Sequence, residues 1–188
     1  MNDLISRLLA HDRTRAARHH IERTDELTLA RQASLSAIPA PTGAEGQRAA
    51  RVAELFREIG LTNVSVDQAG NVQGWLNGNG EKGDGGAQHA APLQAPVVLA
   101  AHLDTVFGAD VGVAVERRGH RLEGPGISDN ARGLAALVAV AEAMVATRIP
   151  VARPNSCYAA FFSAARKRSN GSIRKARAGS FRMCGKST

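Results

Sequence analysis

The chain has 188 residues, 44% of them apolar and only 4% aromatic, with a formal net charge of +7. That length suits one domain of ordinary size, and the apolar fraction argues against wholesale disorder, so a core built from Ala, Val, Leu and Ile is expected. Two cysteines, Cys157 and Cys184, are too few for a disulfide framework or a four-cysteine zinc knot. Asp3, Arg7, His11 and Asp12 break the first apolar stretch. No stretch approaches the ~20 apolar residues of a membrane helix, so the expectation is a soluble, cytoplasmic protein without a signal peptide or membrane span.

In chain order, residues 4–38 carry a helical period in Leu4, Ile5, Leu8 and Leu9 that Ile21, Leu27, Leu29 and Leu35 continue less cleanly. Thr24-Asp25-Glu26 is a plausible cap dividing this region into two helices. Pro39 and Pro41 then force an extended turn over residues 38–43. Val52, Leu55, Phe56 and Ile59 predict a second helical stretch that Gly60 stops. Val64 and Val66 on one side of Asp67-Gln68-Ala69-Gly70-Asn71, with Val72 and Trp75 on the other, predict a hairpin.

Residues 77–96 are rich in Gly and nearly free of apolar anchors, which predicts a flexible insertion in which His89 is a solvated loop histidine. The apolar run 97–101 predicts a strand buried on both faces. Alternating Val111, Val113 and Val115 predict an exposed-face strand, with Arg117-Arg118-Gly119-His120 as its hairpin turn. Leu134, Leu137, Val138, Ala141, Met144 and Val145 predict an amphipathic helix from Asn130 to about Thr147, and regular structure is expected to stop near Pro150. Helices alternating with strands indicate an α/β layered domain. No internal repeat is present.

Two places combine ligand-type residues with apolar scaffolding. His102-Leu103-Asp104 follows the apolar strand, and alternation sends His102 and Asp104 to one side. The carboxyl end of a strand is where α/β sheets place their sites, and a metal-binding imidazole needs an acceptor on its other nitrogen. Alone, the tripeptide is a weak signal, and a structural histidine is its default reading. The second place is Gly124-Pro125-Gly126-Ile127-Ser128-Asp129-Asn130, which opens the last helix. Asp129 or Asn130 could simply cap that helix, or the Asp129 carboxylate, favoured at a helix N-terminus, could hold metal. Spacing does not choose between these readings.

The run Val97-Val98-Leu99-Ala100-Ala101-His102-Leu103-Asp104-Thr105-Val106-Phe107, followed by Arg121-Leu122-Glu123-Gly124-Pro125-Gly126-Ile127-Ser128-Asp129-Asn130-Ala131-Arg132-Gly133, resembles the co-catalytic zinc exopeptidase and deacylase family. Members of this type are peptidase T, glutamate carboxypeptidase, acetylornithine deacetylase and succinyl-diaminopimelate desuccinylase. Residues 38–45 resemble that family's early turn, and residues 67–72 its first hairpin, so the resemblance spans roughly residues 27–147 and covers the N-terminal part only.

The resemblance implies an α/β fold, the three-layer zinc-peptidase catalytic domain, here incomplete and without the lid (dimerisation) domain. It implies that His102 ligates one zinc ion, that Asp104 is the carboxylate orienting and polarising that histidine, and that Asp129 bridges two metals. The implied activity is hydrolysis of a peptide or N-acyl amide bond near a free terminus, with two zinc ions (cobalt or manganese as substitutes) polarising the carbonyl and lowering the pKa of a bridging water towards ~7. Small peptides or N-acyl amino acids are the implied substrates, and a homodimer is implied for the complete family member.

The charge distribution marks a departure from this pattern. Residues 1–142 hold all 17 acids and a net charge of −3, whereas residues 143–188 hold ten Lys and Arg and no acid. The family expects a Glu-Glu pair, supplying a general base and a ligand, where this chain has Phe161-Phe162-Ser163-Ala164-Ala165-Arg166-Lys167-Arg168. It also expects a further carboxylate and a late histidine, yet no acid follows Glu142 and no histidine follows His120. The expected organisation is therefore an N-terminal helical segment over 1–37, the first part of a metallohydrolase domain over 38–150 and a basic, aberrant tail over 151–188. A frameshifted reading of a longer gene after about Arg153 would explain the tail, and activity is expected to be lost. The alternative is a non-enzymatic fragment whose tail binds nucleic acid or an acidic partner, with Phe161, Phe162 and Phe181 stacking on bases. No recognised nucleic-acid motif accompanies the charge, so nucleic acid is the less favoured partner.

Overall fold

The N-terminal apolar period resolves into three helices, α1 Asn2–Ala10, α2 Asp12–Arg23 and α3 Asp25–Ser36. The computed structural model describes residues 2–76, 97–119 and 121–149, together with the strand Cys157–Phe162. The first break falls at His11, whose ring accepts a hydrogen bond from the Arg13 amide at 3.2 Å. Thr24 stands at the N-cap position of α3, as its neighbours suggested. Its hydroxyl nevertheless donates back to the His20 carbonyl at 2.9 Å and so closes α2.

Helix α4, Gly46–Glu58, buries Val52, Leu55 and Phe56. Gly60, at φ 89°, ends it as predicted, with the Gly60 amide donating to Arg57 and the Leu61 amide to Phe56 at 3.0 and 2.9 Å. Strands β1, Thr62–Val66, and β2, Val72–Leu76, form the expected antiparallel hairpin. Asp67 organises its turn by accepting from the Ala69 and Asn71 amides at 2.8 and 2.9 Å.

Strand β3 is Val97–His102, and the short strands β4, Glu116–Arg118, and β5, Arg121–Glu123, form a separate hairpin. Helix α5 is Gly133–Ala146 and β6 is Cys157–Phe162. The main sheet runs β1-β2-β6-β3, with β6 antiparallel to β2 and parallel to β3. The segment β3-α5-β6 is thus a parallel crossover, which needs a helix of about this length to return the chain to the same end of the sheet.

Mixed α/β architecture is what the sequence led us to expect, with four corrections. Regular structure does not stop near Pro150: β6 lies beyond it and occupies an interior position in the sheet. The strand expected over Val111, Val113 and Val115 is displaced to β4 and β5. Arg117 and Arg118 belong to β4, and the tight turn falls at Gly119, whose φ of 63° suits a two-residue hairpin loop. Strand β3 is not buried on both faces. Leu99 and Ala101 pack on the core, while Val97 and Val98 are 60% and 42% exposed. Helix α5 is not amphipathic, because Leu134, Leu137 and Val138 are buried and so are Ala135, Ala139 and Ala143 on another face. It packs against the sheet through β3 and also against α2 and α3, so it needs apolar residues nearly all round.

The core joins Leu35 of α3, Val52 and Phe56 of α4, Val72 of β2 and Leu134 and Val138 of α5. Phe56 is the one aromatic among the buried apolar residues described, as the scarcity of aromatics foretold. Gly74 leaves room for Phe56 and Leu61, since a Cβ there would lie 3.0 Å from the ring of the first. Cross-strand register puts Val72, Gly74, Leu99 and Ala101 on this helix-covered face. Among the described residues no second helical layer covers the opposite face, so the three-layer arrangement is not visible in them. His89, Cys184 and the basic tail from Ser163 onward lie outside the described residues.

Candidate functional site

His102 is the last residue of β3 and is in register with Phe162, the last residue of the parallel β6, so both strands deliver the chain to one end of the sheet. Beyond it Leu103 is buried in the core, and the side chains of His102 and Asp104 meet. His102 Nδ1 lies 3.2 Å from Asp104 Oδ1 and 3.0 Å from the Asp104 carbonyl oxygen. A carbonyl can only accept, so Nδ1 carries the hydrogen and donates, and Nε2 is the ring's outward-facing nitrogen.

Nε2 faces Asp129 Oδ1 at 2.9 Å. Asp129 lies in a distorted helical turn, Ile127–Arg132, with an extended backbone of φ −123°, ψ 94°, and the Asp129–Asn130 peptide is cis. Its side chain is 77% exposed. Helix α5 begins only at Gly133, with Arg132 at its N-cap position and no side-chain cap. The capping role considered for Asp129 and Asn130 is therefore taken by neither. Asn130 instead donates to the His102 carbonyl at 3.2 Å and ties the loop to the end of β3. Gly133 makes this contact possible, since a Cβ there would collide with the Asn130 amide.

The two halves of the site are braced from the helices and from the proline turn. Gln32 of α3 donates to the Ile127 carbonyl at 2.8 Å and accepts from Arg132 at 3.2 Å, and Ser36 donates to the Pro125 carbonyl at 2.8 Å. Arg48 of α4 is fully buried and donates to the Leu103 carbonyl at 2.8 Å and, through Nε at 3.2 Å, to the Ile38 carbonyl. Burial pushes its guanidinium below the ordinary arginine value, and the Asp104 carboxylate pulls it back up. The Thr105 amide donates to the Ala40 carbonyl at 2.8 Å, and Thr42 Oγ1 donates to Asp104 Oδ2 at 2.9 Å.

The sequence did not point to Thr42, Arg48 or Gln32 as site residues, and it offered Asn130 only as a helix cap. Only Arg48 left a signal, as a cation on the stripe it shares with Val52, Leu55 and Ile59. By contrast, the structure brings together all three residues singled out as site candidates, His102, Asp104 and Asp129.

As donors these residues suit zinc in kind. A nitrogen that keeps its lone pair when the ring is neutral and a carboxylate oxygen face each other, and such a pair needs a proton or a cation between them. In number they make one edge of a coordination sphere. No group of three His, Cys, Asp or Glu able to hold a metal occurs among the described residues.

The model of peptidase family M28 matches residues 85–172. Over that stretch, a little under half of its length, the chain is similar to part of a peptidase family M28 domain. This family typically uses co-catalytic zinc. The match takes in both motifs that carried the resemblance and extends through β6. The fold is shared with the dipeptidase Dug1p of Saccharomyces cerevisiae, at a TM-score of 0.59 and 13% sequence identity. That alignment covers 82% of this chain and 35% of the dipeptidase, so the chain spans about a third of that protein's length. No curated protein sequence matches the chain. Among the described residues no helix is long and apolar enough to cross a membrane.

Proposed function

We propose that this chain is the first part of the catalytic domain of a cytoplasmic, zinc-dependent hydrolase cleaving peptide or N-acyl amide bonds near a free terminus, and that as it stands it gathers metal without turning over substrate. The observation that carries this reading is the meeting of His102 Nε2 and Asp129 Oδ1 at 2.9 Å, with the far nitrogen of the ring held by Asp104. His102 and Asp129 would hold the metal. When bound, zinc supplies Lewis acidity toward the scissile carbonyl and acidifies a water for attack near neutral pH.

The chain's own residues supply position. Asp104 fixes the tautomer and tilt of the imidazole, Asn130 fixes the distance between loop and strand, and Gln32 and Ser36 fix the loop to α3. A proton acceptor for the attacking water is what general-base catalysis further requires. The resemblance puts that group about thirty residues beyond Asp129, in the window 161–168. Here β6 ends at Phe162 in register with His102, and the sequence continues Ser163-Ala164-Ala165-Arg166 without a carboxylate. This supports the inactive reading.

Zinc titration against a chromophoric chelator tests the metal assignment. Measurable uptake by the wild type, weakened roughly tenfold or more by His102→Ala and by Asp129→Ala, is expected. Equal uptake by all three proteins would overturn it.

A further inference from the structure

We propose that Thr42, on the turn between α3 and α4, is a positioning residue for the metal-facing imidazole of His102. The proposal rests on the metallohydrolase reading above and extends it to a residue 62 positions from Asp104 in the chain. Two hydrogen bonds and one metal-facing contact run in series from Thr42 to Asp129. Thr42 Oγ1 donates to Asp104 Oδ2 at 2.9 Å, His102 Nδ1 donates to Asp104 Oδ1 at 3.2 Å, and His102 Nε2 meets Asp129 Oδ1 at 2.9 Å.

Asp104 has two oxygens and one rotatable bond that sets their plane. With the hydroxyl on Oδ2, the plane is fixed and Oδ1 is turned to the imidazole; without it, the carboxylate can swing and the ring loses a directed acceptor. The hydroxyl's own position is determined from several sides. Pro41 bridges to Thr105, the Ala44 amide donates to the Pro41 carbonyl at 2.8 Å, and the Gly43 amide donates to the buried Glu45 carboxylate at 2.7 Å. Arg48 clamps the Ile38 and Leu103 carbonyls beneath the same turn. The hydrogen bond to a charged acceptor is of the stronger kind, and the Asp104 side chain is only 13% exposed.

Two measurements on the full-length chain separate this proposal from the metal reading it rests on. Nitrogen-15 NMR of the metal-free protein, at a pH where the imidazole is neutral, reports the tautomer of the His102 ring. Wild type and Thr42→Ser are expected to show one tautomer with the proton on Nδ1, and Thr42→Val to show a mixture. Zinc titration against a chromophoric chelator is expected to give an affinity about tenfold weaker for Thr42→Val, the low end for partners that orient a ligand, with Thr42→Ser within about twofold of wild type. Thr42→Val matching wild type in ring signals and in zinc affinity would overturn the positioning role, as would failure of Thr42→Ser to restore either. A ring signal that responds to Thr42→Val in a protein that takes up no zinc, or whose His102→Ala variant binds zinc as well as wild type, would support the positioning role and defeat the metal reading.

Discussion

Arg48 sits where an apolar residue would continue the stripe of α4, and its guanidinium takes the place of packing by holding two strands of chain together. Replacing it with Met would keep the bulk and strand the Leu103 and Ile38 carbonyls. A loss of about 2 kcal/mol in urea unfolding is expected for Arg48→Met, from the cost of leaving buried acceptors unpaired. Gly133 sets two effects against each other. On helix propensity alone, Gly133→Ala at the start of α5 should stabilise by up to about 1 kcal/mol. The added Cβ collides with the Asn130 side chain that ties the loop to His102. Destabilisation with weakened zinc uptake is therefore expected, and a gain in stability with unchanged uptake would show that the tie is dispensable. Supports such as Thr42 and Gln32 were invisible in the sequence for a plain reason. Thr42 and Asp104 are 62 residues apart, Gln32 and Ile127 are 95 apart, and nothing local in either segment marks its partner.

At the scale of elements, α3 does most to position the site loop. Besides Gln32 and Ser36, its Arg31 forms a two-pronged ion pair with Glu142 of α5, at 2.6 and 3.2 Å, and the two side chains are only 11% and 22% exposed. Glu142→Gln removes the charge with little change of shape, and a cost of about 1–2 kcal/mol in denaturant melts is expected, above the range of an exposed pair. Helix α1 is the opposite case. Leu4, Ile5, Leu8 and Leu9 are all exposed, so a chain starting at His11 should keep the thermal midpoint of the whole protein within about 3 °C and be more soluble.

The elements whose signals were local and strong were legible: the stop of α4 at Gly60, the Asp67 turn, and the His102-Leu103-Asp104 strand end. Strand β6 was legible in principle, since Cys157-Tyr158-Ala159-Ala160-Phe161-Phe162 is a short continuous apolar run. Its alanines carry little strand preference, and the basic residues beyond it drew the boundary too early. The β4-β5 hairpin was misplaced because strand alternation in Val111, Val113 and Val115 outweighed the turn residue Gly119.

At the scale of the molecule, β3 is an edge strand with Val97 and Val98 exposed and no described neighbour beyond it. Open apolar edges pair with other chains. Concentration-dependent association is expected in light scattering, and Val98→Lys should reduce it; a monodisperse monomer at high concentration would count against this. The position of β6 also bears on the acid-free region. Strand β6 lies beyond Arg153, and sequencing the parent DNA from that point onward would show whether a second frame continues with a Glu-Glu pair.

The central claim is that a metal-gathering corner is present and a proton acceptor is missing. Hydrolysis of a panel of dipeptides and N-acyl amino acids by the full chain, with zinc or cobalt added, tests it most directly. We expect no turnover above that of the metal ions alone. Turnover that His102→Ala abolishes would contradict the claim.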